Sequence, residues 1–393
     1  MDLEIKIEKL VFGGDGLGFS NGKACFVEGA LPGETVLASV LTEKRNYCKA
    51  ELLKILTMSP HRTDPPCPYT GTCGGCQYQH LTYDEEKKWK ELQVRESFLQ
   101  ALRVDPAVFV PLEAADRPYG YRNSITLHKT TRNHRIAQRL AFIGRDNKTA
   151  VPVDRCLLAD PALANIFLQK YFIGEREKNR TFKLAGDGRI VTSESQQAYG
   201  VQVGDQSFVT GSLCFFQNNL DVTALAAAKI RSWVEAAAPL RFIDLYCGVG
   251  TFSLLCAKEV PEIACFEENP HGIAALKENI RSLGRGEPHE AGFLCVHGQV
   301  EKTFPPFIRQ QPKPGTVIFM DPPRQGIAGS LADLLAKENV CETLVYLACD
   351  LAILLRDLKI ILSNERYEIK SVAPFDMFPK TKHIEIAVLL KRV

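Results

Sequence analysis

The chain has 393 residues, 45% hydrophobic and 24% charged, with a net charge of +2. This is the composition of a soluble globular protein with apolar mass for two or three domains, and it excludes a disordered or low-complexity chain. The near-neutral balance neither supports nor forbids a nucleic-acid partner, which would be met by local patches such as EEKKWKE around Lys88 or the segment from Lys129 to Arg139. Each of these runs also reads as a solvated surface.

The N-terminus, MDLEIKIEKLVFGG, alternates charged and apolar residues, unlike a signal peptide, and no apolar run reaches the length of a membrane span. A cytoplasmic protein without membrane association is the expectation. Residues 1–58 read as a small β barrel of the oligonucleotide-binding type, with the strand-like runs LEIKIEKLVF, GKACFVEGA, ETVLASVLTEK and NYCKAELLKIL set off by the turn signals GGDG, SNG and LPGE. The proline-rich SPHRTDPPCP marks a boundary. Residues 59–215 form a central unit: a cysteine stretch, a helix over about 83–102, then strand-rich sequence broken by a helical segment at DPALANIFLQKYF. Residues 216–393 alternate helices and buried strands, the pattern of a Rossmann-like, doubly wound α/β domain.

The 13 cysteines, without a secretory signal, do not suggest a disulfide framework. Cys256, Cys265 and Cys295 lie in apolar runs and read as small buried hydrophobes. Cys67, Cys73 and Cys76 do not, since prolines, glycines and threonines surround them.

In DLYCGVGTFSL, Gly248 and Gly250 stand between a strand and a helix, where backbone can approach a ligand closely. Glu267 ends the next strand, at a spacing suited to a ribose diol. The third glycine of a dinucleotide fingerprint is replaced by Ser253, so the turn suits a nucleoside without pyrophosphate, such as S-adenosylmethionine, or is simply a glycine turn in an α/β core. Asp321, in FMDPPRQGI, falls at the C-terminal end of a buried strand. Arg324 stands where amino-directed methyltransferases carry an aromatic residue, which disfavours methylation of an exocyclic amine. Cys349 ends another buried strand in TLVYLACD. Methylating C5 of a pyrimidine requires such a thiol, because its addition at C6 makes C5 nucleophilic, and it requires a base to remove the C5 proton afterwards. Glu385 in KHIEIAVLL, at the start of the last strand, is the candidate base, with His383 two residues earlier on the same face. Read singly, Cys349 is equally a core thiol and Glu385 an exposed strand end.

Together these motifs resemble the RNA uracil-5 methyltransferase family over essentially the whole chain. The resemblance implies that residues 1–58 are a TRAM-type RNA-binding barrel. It implies that DPPCPYTGTCGGCQYQHL and VDRCLL hold a 4Fe–4S cluster through Cys67, Cys73, Cys76 and Cys156. Zinc is the competing reading, although a four-cysteine zinc site prefers two short pairs. It further implies that S-adenosylmethionine is bound by Gln217, Tyr246, Gly248, Gly250, Thr251, Glu267, Gln299 and Asp321. Cys349 takes the place of the nucleophile and Glu385 that of the base. The usual Ser-Cys-Asn/Asp-Pro loop reads Ala348-Cys349-Asp350-Leu351 in this chain. The expected activity is methylation of C5 of one uridine in structured RNA through a covalent Cys349–C6 adduct, with 23S ribosomal RNA favoured over transfer RNA. The alternatives are a non-catalytic RNA-binding or assembly factor of the same ancestry and a cytosine-5 methyltransferase, against which Glu385 and the cluster cysteines argue. No obligate protein partner is implied.

Overall fold

The computed structural model describes residues 1–129, 140–168, 179–284 and 287–393. The basic run expected over Lys129 to Arg139 lies, beyond its first residue, outside the described residues.

Strands β1 (Asp2–Leu10), β2 (Asp15–Ser20), β3 (Lys23–Glu28), β4 (Thr35–Glu43) and β5 (Tyr47–Thr57) close into a barrel in the order β1-β2-β3-β5-β4. Alternate residues point inward, as a period of two requires: Ile5 and Ile7, Cys25 and Val27, Val36 and Ala38, Cys48 and Ala50 make its core. The sequence reading saw β2 only as turn signals. Its inward positions are Gly16 and Gly18, and a Cβ at Gly18 would lie 2.2 Å from the Lys6 carbonyl, so β1 can cross only over glycine.

The barrel is seated firmly on the segment that follows it. Buried Glu34 accepts hydrogen bonds from Arg62 at 2.6 and 2.9 Å and from the Leu31 backbone at 2.8 Å. Leu10, Leu31, Tyr78 and Leu81 form a buried apolar contact beneath it. Helix α1 (Tyr83–Leu102) then leaves the central unit to which the sequence reading assigned it. Its Val94 and Phe98 join the core of the C-terminal sheet, and Phe109 and Glu113 bridge to the edge of that sheet.

The central sheet, in the order β10-β9-β6-β7-β8, comprises β6 (Ser124–Lys129), β7 (Leu140–Ile143), β8 (Ala150–Pro152), β9 (Asn179–Leu184) and β10 (Ile190–Thr192), with the short helix α2 (Asn165–Leu168) alongside. The hairpin of β11 (Ala198–Val203) and β12 (Gln206–Gly211) leads into α3 (Leu220–Ala237).

The C-terminal sheet has seven strands among the described residues, in the order β15-β14-β13-β16-β17-β19-β18. They are β13 (Arg241–Leu245), β14 (Glu262–Glu267), β15 (Phe293–His297), β16 (Thr316–Met320), β17 (Thr343–Ala348), β18 (Tyr367–Phe375) and β19 (Glu385–Arg392). Helices α4 (Thr251–Cys256), α5 (Pro270–Ser282), α6 (Val300–Gln310), α7 (Gly329–Lys337) and α8 (Leu351–Ile361) connect them. The first five strands in that order run parallel, and the inner strands β13, β16 and β17 are buried on both faces, hence runs such as TVIFM and TLVYLA with no polar alternation. Strand β19 is antiparallel to both β17 and β18, a feature the alternating pattern did not reveal. Phe319, packed against Phe242 and Phe252 at centroid distances of 6.2 and 5.0 Å, anchors one layer of helices to the sheet. Each such fully buried ring contributes about 1.5–3 kcal/mol.

Candidate active site

Three strands deliver side chains to one edge of this sheet. β16 leads into Asp321 and β17 into Cys349, each one residue past the strand's end, and β19, running the opposite way, starts there with Glu385. The parallel pairing of Met320 with Tyr346 and the antiparallel pairing of Ala348 with Ile386 enforce the meeting. Cys349 opens into a crevice walled by Pro322, Pro323, Arg324, Tyr346 and Asp350. Asp350 caps α8, its carboxylate accepting the Ile353 N–H at 3.0 Å, so the loop after the thiol is fixed without a proline.

The electrostatics of this edge are coupled. Burial pushes the Cys349 thiol up to about 12, with the Glu385 and Asp321 carboxylates adding to it and Arg324 opposing. Burial raises Asp321 to about 7. Burial, then Asp321, raises Glu385 well above the usual carboxylate range, while Arg324 pulls it back. His383 was expected on the same strand face as Glu385, but the strand begins only at Glu385. The imidazole lies before it, edge-on to Phe378 at 6.0 Å. Burial, with Arg324, lowers it to about 4, so it is neutral near pH 7.

Beside Asp321 lies the glycine turn. Tyr246 follows β13 at φ +65° and donates its hydroxyl to Glu301 at 2.6 Å. The Gly248 and Asn269 N–H groups donate to the two oxygens of Glu267 at 2.9 and 2.7 Å, so this acid braces the turn that it was expected to complement. Gly250 has φ +83°, and a Cβ there would lie 2.4 Å from Leu276 Cδ1. Gly250→Ala should therefore destabilise the protein by about 2–3 kcal/mol, from strain plus overpacking, measured by urea denaturation. Thr251 opens α4 and is buried, whereas Gln299 heads α6 and is exposed. Ser253, where a dinucleotide fold has glycine, donates to buried Asp244, which burial raises to about 8. Gln217, between β12 and α3, donates to Asp321 at 3.1 Å, while its backbone carbonyl accepts from Asn123 of the central unit at 2.9 Å.

These carboxyls oppose folding at high pH. A group raised from 3.8 to about 7, as Asp321 is, favours the fold below the lower value, and that contribution is lost as pH rises through the higher one. Asp321→Asn should then leave stability unchanged near pH 4 and raise it by about 1–2 kcal/mol at pH 8, read from melting temperatures across that range.

Two functional features escaped the sequence reading. Phe215, two residues before Gln217, is 70% exposed, an unusual setting for phenylalanine. Asp357 is buried and accepts from the Ile327 N–H at 3.0 Å, from the Tyr346 hydroxyl at 2.7 Å and from Arg356 at 2.8 Å, which ties the loop after Asp321 to α8. Asp357→Ala strands two buried donors and should cost about 3 kcal/mol, checked by denaturation.

Away from this edge, Cys67, Cys73, Cys76 and Cys156 line one cavity of roughly 70 Å³ together with Arg122 and apolar residues including Ile125 and Phe142. The Gly74 N–H bonds the Ile143 carbonyl at 3.0 Å and Cys73 bridges Gly144, so the end of β7 holds the cysteine loop in place. The Arg122 Nε is buried without a hydrogen-bond partner among the described residues. No group of three ligands close enough for a single metal ion occurs among the described residues. All 13 cysteines are free thiols. Cys256 and Cys265 are buried in the core, as the apolar runs suggested, and Cys295 is half-buried.

The signature described as tRNA (Uracil-5-)-methyltransferase matches residues 313–393, and that of the TRAM domain matches residues 2–53. An uncharacterized RNA methyltransferase of Protochlamydia amoebophila is 30% identical over 437 residues, covering 100% of this chain and 98% of that protein. The chain belongs to the RNA uracil-5 methyltransferase family. Another member, the tRNA (uracil(54)-C(5))-methyltransferase of Schizosaccharomyces pombe, is 28% identical, with 100% of this chain and 78% of that one covered. The fold of this methyltransferase matches the crystal structure of Pyrococcus abyssi tRNA (uracil-54, C5)-methyltransferase in complex with S-adenosyl-L-homocysteine. The TM-score is 0.72 at 19% identity, with 99% of this chain and 100% of that one covered. The chain is thus an RNA (uracil-5-)-methyltransferase, its N-terminal barrel a TRAM domain.

Proposed function

We propose that this enzyme transfers the methyl group of S-adenosylmethionine to C5 of a uridine through a covalent adduct between Cys349 and C6. The observation that carries the reading is the antiparallel register of β17 and β19, which sets the thiol beside Glu385 with Asp321 on the neighbouring strand. The Cys349 thiolate adds to C6, and C5 attacks the methyl carbon of the sulfonium, breaking its bond to sulfur and releasing S-adenosylhomocysteine. Glu385 then takes the C5 proton, so that the C5–C6 double bond reforms and the thiolate leaves. The donor's positive charge, held over the glycine turn near Asp321, offsets the carboxylates that keep the thiol protonated at rest. Gln217 orients Asp321, and exposed Phe215 offers a face on which the flipped base can stack. The other expected cofactor contacts, Tyr246, Gly248, Gly250, Thr251 and Glu267, surround the turn, with Gln299 at the far rim.

The target is proposed to be transfer RNA. Two relatives, from Schizosaccharomyces pombe and Pyrococcus abyssi, carry names that state uracil 54 of tRNA as their target, and that supports tRNA over the 23S RNA expected from sequence. Methylation of tRNA and of 23S RNA from a deletion strain, mapped by mass spectrometry, tests this. Appearance of 5-methyluridine only in 23S RNA would reverse the choice, and in neither would remove the enzymatic reading.

The cysteine cavity fits a 4Fe–4S cluster. Its four thiols converge too loosely for one ion, and Arg122 supplies a cation for the net negative charge of a thiolate-bound cluster. Cys67, Cys73, Cys76 and Cys156 would hold it, adding structural cross-links and no redox step. Cys156→Ser should abolish the visible absorbance of anaerobically prepared protein; absorbance retained, or stoichiometric zinc in its place, would refute the assignment. A cytoplasmic location is proposed as well.

A further inference from the structure

The connection 376–384, between β18 and β19, leads directly into Glu385, and it is bound along its length to elements outside its own sheet. Asp376, fully buried, accepts from Lys90 at 2.7 Å. The Met377 carbonyl accepts from Asn219, that of Phe378 from Lys90 and that of Pro379 from Tyr121, at 3.2, 3.2 and 3.1 Å. The Lys380 N–H donates to Glu86 at 2.7 Å, and its carbonyl accepts the Gln77 and Tyr78 N–H groups, each at 3.1 Å. The Lys380 ammonium, 3% exposed as a residue, reaches the Leu81 carbonyl at 2.8 Å and Glu86 at 3.3 Å. The Lys382 N–H donates to the Gln77 side chain at 3.0 Å.

Glu86, Lys90, Asp376 and Lys380 thus form a buried quartet of two acids and two bases. Such groups seldom stabilise a fold more than apolar residues of similar size would, and their best-attested value lies in fixing one geometry. Lys380 also holds φ +64°, a strained setting for a lysine that is retained where its contacts over-determine it. Gln77 and Tyr78 belong to the cysteine stretch, so the strap joins that stretch to the catalytic edge.

We propose that the strap positions Glu385 for proton removal, with Lys380 as its central positioning residue. This rests on the reading of Cys349 as nucleophile and Glu385 as base. If the carboxylate drifts, addition of the thiol and methyl transfer still proceed, but the C5 proton stays on carbon and the Cys349–C6 bond persists.

The test uses Lys380→Met in the full-length enzyme, with Gln77→Ala as a milder second variant that removes the acceptor for the Lys382 N–H together with the donor to the Gly74 carbonyl. Each is incubated with unmodified RNA and methyl-labelled S-adenosylmethionine and resolved on a denaturing gel. Proton removal should slow by about 10- to 100-fold, so that labelled protein–RNA adduct accumulates at least about ten-fold above wild type at equal turnover of donor. A fall in rate without adduct in both variants would overturn the proposal, because a merely structural role slows every step together. Wild-type enzyme with 5-fluorouridine RNA runs in parallel. Absence of adduct there strikes the underlying mechanism, whereas its presence with none in the variants strikes only the strap. If Lys380→Met does not fold, Gln77→Ala alone decides.

Discussion

Cys349→Ala should lose methyl transfer by about 10⁴-fold or more, because without the thiol C5 of uracil is too weak a nucleophile to attack a sulfonium. RNA binding should change little, since half-buried Cys349 lies outside the TRAM barrel and the central sheet, which remain intact. The matching measurement is a covalent trap: 5-fluorouridine RNA, in which the C5 position carries no removable proton, should form a denaturation-stable adduct with the wild type and none with the variant. Equal adduct in both would move the nucleophile elsewhere. Among the other cysteines, Cys247 stands in the glycine turn itself but is buried against Cys265, and Cys341 lies at the opposite end of β17. Full methylation by the variant would restore the reading of Cys349 as a core thiol, whereas RNA binding with no methyl transfer by the wild type would restore the picture of a non-catalytic RNA-binding factor.

Much of this site is legible in the sequence because it sits where local chemistry is strongest. Buried parallel strands leave continuous apolar runs, so Asp321 and Cys349 stand out as the first polar or reactive residues past their ends. The glycines of the turn are visible because nothing else tolerates that backbone. What the sequence hides is register. That Glu385 meets Cys349 depends on β19 entering the sheet antiparallel between β17 and β18, and no periodicity distinguishes that insertion from one more parallel strand. Helix α1 is hidden for a different reason. Its run EEKKWKE reads as solvated, and Lys87 and Lys88 are indeed at the surface, yet Glu86 and Lys90 in the same run are fully buried against the strap. Buried ion pairs carry no hydrophobic signature, so charge patterning assigns them to water. Strand β2 is lost because glycine signals a turn equally well when it marks a crowded strand crossing. The cysteine stretch was conspicuous by composition, but that its four thiols share one cavity with a buried arginine follows only from the way β7 holds the loop.

Glu385→Gln should separate the two halves of the reaction. The amide keeps the shape and burial of the side chain, so thiol addition and methyl transfer to C5 continue, but glutamine cannot accept the proton. Turnover should fall by about 10²- to 10⁴-fold. One methyl group per enzyme should be transferred at a rate near that of the wild type, leaving a methylated RNA bound to protein through Cys349. A burst of one equivalent followed by near silence, with the label migrating as protein–RNA complex on a denaturing gel, is the expected signature. Stability should move the other way. Burial raises the Glu385 carboxyl well above its usual range, so its contribution to folding is present at low pH and lost as pH rises through that raised value, and the neutral amide escapes the loss. The variant should therefore melt at a higher temperature than wild type at pH 8 and no higher at pH 4. A variant that turns over normally would assign proton removal to another group at this edge, with Asp321, held by Gln217 on the neighbouring strand, first in line. One that neither turns over nor gives a burst would place Glu385 in binding or in the addition step. Only the burst with arrested release makes it the base.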